Sequence, residues 1–108
     1  MQTVTPDVPD VDIDEERRVG ADDTADSLWK VIAHDDNVTT MEFVVQVMVH
    51  IFEKPVIFAE MIMRQVHNEG LSVVDALPKE EAERKVRKTV FLARSNGFPF
   101  KMTIEPND

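Results

Sequence analysis

Apolar residues change their spacing several times along this chain, and each change marks a new element. Leu28, Trp29, Val31 and Ile32 bring together the β-branched and aromatic residues of a strand running from about residue 27 to His34. The polar stretch His34-Asp35-Asp36-Asn37-Val38 then reads as a loop. Thr39 with Glu42 three residues later matches a capping box, and Met41, Val44, Val45, Met48, Ile51 and Phe52 recur at helical spacing, which predicts a helix from Thr40 to Phe52. Lys54-Pro55 breaks it. Pro55 can open a second helix through Phe58, Met61, Met63, Val66 and His67, with Gly70 suited to the left-handed cap that follows. Leu71 to Leu77, rich in Val and Leu, predicts a strand. Pro78 opens a charged helix whose Ala82, Val86, Val90 and Ala93 form one face, and Gly97 should end it. Finally Phe98, Phe100, Met102 and Ile104 alternate with Pro99, Lys101, Thr103 and Glu105, the period of a strand with one buried face. The order β-α-α-β-α-β predicts an α+β sandwich, a three-stranded antiparallel sheet with helices packed on one side.

Residues 1–26 break the pattern. They carry Pro6, Pro9, Gly20 and scattered apolar positions among nine acidic and two basic side chains, too little apolar surface to offset the entropy of ordering. A disordered acidic arm over 1–26 and one folded domain over 27–108 are expected. The arm holds most of the chain's net charge of -9, a balance that argues against nucleic acid, whose phosphates need clustered Lys and Arg. No apolar run approaches the roughly 18 to 20 residues of a membrane span and no basic flank precedes an apolar run at the N-terminus, so a cytoplasmic protein is expected. The chain has no cysteine, which removes disulfides, thiolate metal sites and a thiol nucleophile.

Candidate chemistry gathers around one loop. Asp35, Asp36 and Asn37 precede the first helix, where acids are stabilised by free amide groups and the helix dipole; turn chemistry and a ligand-binding loop both account for them. His67 sits beside an apolar helical stripe, a common place for a structural histidine. A metal site drawn from His34, Asp35, Asp36 and His67 lacks any His-x-x-x-His spacing. With no nucleophile motif and no glycine-rich phosphate loop, neither an enzyme nor a bound cofactor is expected. Met41, Met48, Met61 and Met63 suit a core, and their flexible thioethers equally suit a pocket that accepts several bulky side chains.

From Trp29 to Glu105 the chain resembles the ClpS family of N-end rule adaptors. The resemblance is carried by Lys30-Val31-Ile32, the segment Asp35-Asp36-Asn37-Val38-Thr39-Thr40-Met41-Glu42-Phe43-Val44-Val45, then Met63-x-x-Val66-His67-x-x-Gly70, Ala82-Glu83-x-Lys85-Val86, and Phe98-Pro99-Phe100 followed by Thr103-x-Glu105. It implies an adaptor that binds the free α-amino group and bulky first side chain of N-degron proteins beginning with Leu, Phe, Tyr or Trp, and delivers them to the N-terminal domain of a ClpA- or ClpC-type AAA+ unfoldase. By position, Asp35, Asp36, Asn37 and His67 would hold the amine and first peptide group. Thr39, Met41, Val44, Met63, Val66 and Phe100 would form the side-chain pocket, and Glu80 and Lys85 the unfoldase contact. The arm would be what the family feeds toward the unfoldase.

Several positions depart from the family pattern. Asp35 stands where Asn is usual and Asn37 where Asp is frequent; Val38 replaces a frequent Tyr, Thr40 a frequent Pro, and Phe100 a usual Leu. A bulkier wall at Phe100 implies a shallower pocket that favours Leu over Trp. The altered loop leaves a second reading in the same fold, a ClpS-like modulator that docks on the unfoldase without reading N-termini. A ribosomal-stalk-like interaction domain shares the element order, but by fold analogy alone.

Overall fold

The central strand, β1 (Leu28–His34), buries Trp29, Val31 and Ala33 and turns Lys30, Ile32 and His34 the other way, the alternation that a half-covered sheet requires. In this computed structural model residues 27–107 are described, and the arm expected over residues 1–26 lies outside them. The remaining elements are α1 (Met41–His50), α2 (Val56–Glu69), β2 (Leu71–Pro78), α3 (Lys79–Ser95) and β3 (Lys101–Pro106). β1 pairs antiparallel with both β2 and β3, giving the strand order β2-β1-β3. α3 lies across all three strands, α2 covers β2, and α1 packs on α2. The α+β sandwich expected from the apolar spacing is the fold observed.

The helices meet the sheet through a shared core in which Trp29, Phe100, Met48 and Met102 are the largest fully buried side chains. On α3, Ala82, Val86, Val90 and Ala93 are all fully buried, as their spacing predicts. Its first residue, Lys79, sets its ammonium 5.3 Å from the Trp29 ring centroid. β2 carries a bulge: Val31 faces Asp75 while Ile32 faces Val73, so Val74 is the extra residue. The bulge puts Val74 in the core and brings Asp75 to the helical side, where Lys54 meets it at 3.2 Å. Buried Ser72 donates to Gln65 Oε1 at 2.6 Å and so ties β2 to α2.

Three local expectations are corrected. The N-cap of α1 is Thr40 rather than Thr39; its side chain accepts the Phe43 N–H at 3.1 Å, because Thr39 is already engaged by Asp36. The buried face of α2 is Ala59, Ile62, Met63 and Val66: Met63 and Val66 belong to the predicted run, whereas Phe58 and Met61 are about half exposed and Ala59 and Ile62 take their place. β3 begins at Lys101 rather than Phe98. Phe98 and Phe100 turn their carbonyls to the Arg94 guanidinium, each at 3.0 Å, and are withheld from the strand ladder. α3 ends in a Schellman arrangement, with the Phe98 N–H on the Ala93 carbonyl at 2.8 Å, the Gly97 N–H on Arg94 at 3.0 Å, and Gly97 at φ 77°.

Gly70 caps α2 at φ 93° with open space around the position of a Cβ, so a substitution there meets backbone strain and nothing else. Gly70→Ala is expected to destabilise the domain by about 1 kcal/mol, and Gly70→Asn by less. Urea unfolding midpoints of the two variants check this; an unchanged midpoint for Gly70→Ala would show that the left-handed cap is dispensable.

Candidate functional site

The loop between β1 and α1 is organised by one carboxylate. Asp36 Oδ1 accepts the N–H groups of Val38 and Thr39 at 2.8 and 2.7 Å, and Oδ2 accepts the Thr39 hydroxyl at 2.7 Å. Partial burial works to raise the Asp36 carboxyl. The Thr39 hydroxyl, the Thr39 and Val38 N–H groups and the nearby Arg94 charge together outweigh it and hold the group below its ordinary value of 3.8. Both oxygens of Asp36 thus take part in shaping the loop. Asp35 and Asn37 flank it, exposed, with side chains that have no hydrogen-bond or ion-pair partner among the described residues.

A second constraint fixes where this loop points. The Asp35 N–H donates to the Gly70 carbonyl at 3.0 Å, which fastens the loop to the end of α2. His67 lies in the last turn of α2, three residues before Gly70, exposed and without a described side-chain partner. The loop and the His67 turn are therefore neighbours in the fold. The loop offers two unengaged acceptors and the end of α2 an imidazole, groups of the kind that receive the donors of a cationic amine.

Val44, Val66 and Phe100 belong to one buried cluster, and half-buried Met63 packs against it. Phe43 braces Phe98 and Phe100 edge to face, with centroids at 5.1 and 6.1 Å. Met41, the first residue of α1, is 46 % exposed, and Thr39 is half-buried just before the N-cap. The six predicted pocket residues thus divide into three that are buried, Val44, Val66 and Phe100, and three that are more open, Thr39, Met41 and Met63. Two concavities elsewhere are lined by none of them. One of about 610 Å³ lies against α2, with Phe58, Met61 and Val74 in its wall. The other, about 460 Å³, is bounded by Val38, Arg94 and the Gly97-Phe98-Pro99 turn.

The remaining sequence candidates fall outside that loop and the last turn of α2. His34 stands on the sheet face away from the helices, with Nε2 and Thr103 Oγ1 hydrogen-bonded at 2.9 Å; burial first, and Lys101 second, push its pKa down. Among the described residues no three His, Cys, Asp or Glu side chains are grouped as metal ligands. Glu80 is exposed in the first turn of α3. Lys85 is only 9 % exposed, pairs with Glu81 at 3.6 Å and lies 5.7 Å over the Phe52 ring. Arg94 is the residue that sequence reading missed, since it joins the β3 entry to the charge of Asp36. An arginine one turn before a Gly-Phe-Pro-Phe segment, whose carbonyls leave the ladder, was its only trace.

Residues 24–103 match the sequence model of the family described as ATP-dependent Clp protease adaptor protein ClpS. The ClpS adapter of Lawsonia intracellularis is 43 % identical over 81 residues, which cover 75 % of this chain and 74 % of that protein. That of Desulforapulum autotrophicum is 41 % identical over 78 residues, covering 72 % and 75 %. Among solved structures, Agrobacterium tumefaciens ClpS2 bound to L-phenylalaninamide superposes with a TM-score of 0.72 at 31 % identity, covering 75 % of this chain and 98 % of that one.

The Asp36 clamp makes a testable pH dependence. A carboxyl whose folded pKa is depressed contributes stability above its unfolded value, lost as pH falls through the folded one. Asp36→Asn, a near-isostere of the protonated acid, is expected to destabilise the domain at neutral pH by about 1 kcal/mol. That gap should close below the ordinary value of 3.8, as urea unfolding at stepped pH would record.

Proposed function

The chain belongs to the ClpS family of ATP-dependent Clp protease adaptors, and from that membership we propose that it reads the first residue of protein substrates and delivers them to a ClpA- or ClpC-type unfoldase. Residues 27–108 form the adaptor domain in this reading, and residues 1–26 are an arm ahead of it. The setting is the cytoplasm. Among the described residues no helix is long and apolar enough to cross a membrane.

The observation that supports the reading is the bond from the Asp35 N–H to the Gly70 carbonyl, which ties the Asp35-Asp36-Asn37 loop to the end of α2, the helix whose last turn carries His67. Asp36 holds the loop in shape, Asp35 and Asn37 offer acceptors to the α-amino group, and His67 engages the first peptide unit. The first side chain enters between Met41 and Met63 toward Val44, Val66 and Phe100, with Thr39 at the edge. L-phenylalaninamide, held by the Agrobacterium relative, has this chemistry: a free amine, a benzyl side chain and an amide in place of the first peptide bond. Burying such a side chain contributes on the order of 2 to 3 kcal/mol. A micromolar complex needs about 8 kcal/mol, so the polar rim must supply much of the remainder. Glu80 is the open contact for the unfoldase on α3, while Lys85 acts beside it from a largely buried position.

Fluorescence anisotropy tests the reading. A Phe- or Leu-initiated peptide should bind saturably near the micromolar range, and acetylation of its amine should abolish binding. His67→Ala should weaken the complex by about tenfold or more, the equivalent of roughly 1.4 kcal/mol. Leu should be preferred over Trp if Phe100 shortens the pocket, and equal affinities would refute that preference. Absence of binding by the free amine would favour a modulator that docks on the unfoldase without reading N-termini.

A further inference from the structure

α3 buries Ala82, Lys85, Val86, Thr89, Val90 and Ala93, and its opposite face is cationic. Arg84, Arg87, Lys88 and Phe91 follow one another at i, i+3, i+4 and i+7, and all four are exposed. At 67 %, Phe91 is the most exposed of the large apolar side chains among the described residues. None of the three cations has a hydrogen bond or ion pair with a described residue, and Glu80, one turn before Arg84, forms no ion pair with it. A protein with a net charge of -9 therefore presents a basic stripe ending in an uncovered phenyl ring.

The complementary sequence lies in the same chain. Residues 7–16 hold Asp7, Asp10, Asp12, Asp14, Glu15 and Glu16, interleaved with Val8, Val11 and Ile13, an anionic segment with apolar side chains between its charges. Its tether joins the domain in the right place. Leu28 pairs with Pro78, the residue that precedes α3, so the described chain begins beside the start of that helix. From residue 16 to Ser27 a fully extended chain can span up to about 36 Å. The 17 residues of α3 extend about 25 Å, which places the whole stripe within reach.

We propose that the outward face of α3, centred on Arg84, Arg87, Lys88 and Phe91, is a docking surface for the chain's own acidic segment, residues 7–16. The carboxylates pair with the guanidinium and ammonium groups, and Val11 or Ile13 covers the Phe91 ring. Each exposed pair contributes little. The tether compensates by holding the segment at an effective concentration on the order of millimolar. Because Glu80 flanks this face, a docked arm would compete with an unfoldase bound there; that consequence rests on the function proposed above, whereas the docking does not.

The chain has no native cysteine, so Thr5→Cys in the full chain accepts a single nitroxide label. In the ¹⁵N-labelled protein at low salt, the amide signals of Arg87, Lys88 and Phe91 should broaden relative to the reduced label. The broadening should vanish near 1 M NaCl, where the Debye length is about 3 Å. It should also vanish in the triple variant Arg84→Glu, Arg87→Glu, Lys88→Glu, and in Asp10→Asn, Asp12→Asn, Asp14→Asn, which leaves the folded domain untouched. Absent broadening, or broadening indifferent to salt and to both variants, would overturn the proposal. So would broadening that persists when labelled ¹⁴N chain is mixed with unlabelled ¹⁵N chain, since the occupant would then be a second copy.

Discussion

The hydrogen bond from the Asp35 N–H to the Gly70 carbonyl is the joint on which the geometry of the candidate site depends. It lies just past the last register pair of β1 and β2, His34 with Leu71, and so continues the sheet's pairing into two segments that would otherwise diverge. It depends on Gly70 adopting the left-handed conformation that ends α2, a conformation that a side chain would strain. Through it, a loop that leaves one strand is held to the turn that enters the next, and residues 35 apart in sequence, Asp35 and Gly70, are bonded. The Asp36 carboxylate completes the arrangement from within by closing the loop on its own backbone.

Around that joint the fold separates rigid support from exposed chemistry. The bulge at Val74 lets β2 bury one more side chain and still bring Asp75 to Lys54, which connects the end of α1 with the sheet. Arg94 does similar work at the other end by satisfying the two carbonyls that β3 leaves out of its ladder. The side chains of Asp35, Asn37 and His67 carry none of these structural duties. Their freedom from described partners leaves them available to a ligand without dismantling the core.

Much of this was legible in the order of residues, and the exceptions have physical causes. The faces of α3 and β3 could be read because their apolar residues recur at one period against polar neighbours, and Gly70 because few other residues suit a left-handed cap. α2 misled because apolar residues occupy both of its faces: Phe58 and Met61 are as hydrophobic as Ile62 and Met63, and only packing against α1 and β2 selects among them. Thr39 and Thr40 offered the same hydroxyl to the helix, and a side chain three residues upstream decided between them. The late start of β3 followed from an arginine whose partners are backbone carbonyls, groups that every residue has and no sequence pattern reveals. For the candidate site, residue types were legible; the division of labour within Asp35-Asp36-Asn37, with the middle acid turned inward, required coordinates.

The position of β1 in the sheet also sets the order in which the domain can complete itself. Its partners lie on either side in space but both far downstream in sequence: Ala33 pairs with Ser72 and with Met102. Such non-local pairings form late, because the entropy of closing a long loop must be met before they contribute. On the ribosome, the first strand to emerge waits for the last. Trp29 is made long before the Phe100, Met102 and Ile104 that share its core, and until β3 arrives one edge of β1 stays open to any other strand nearby.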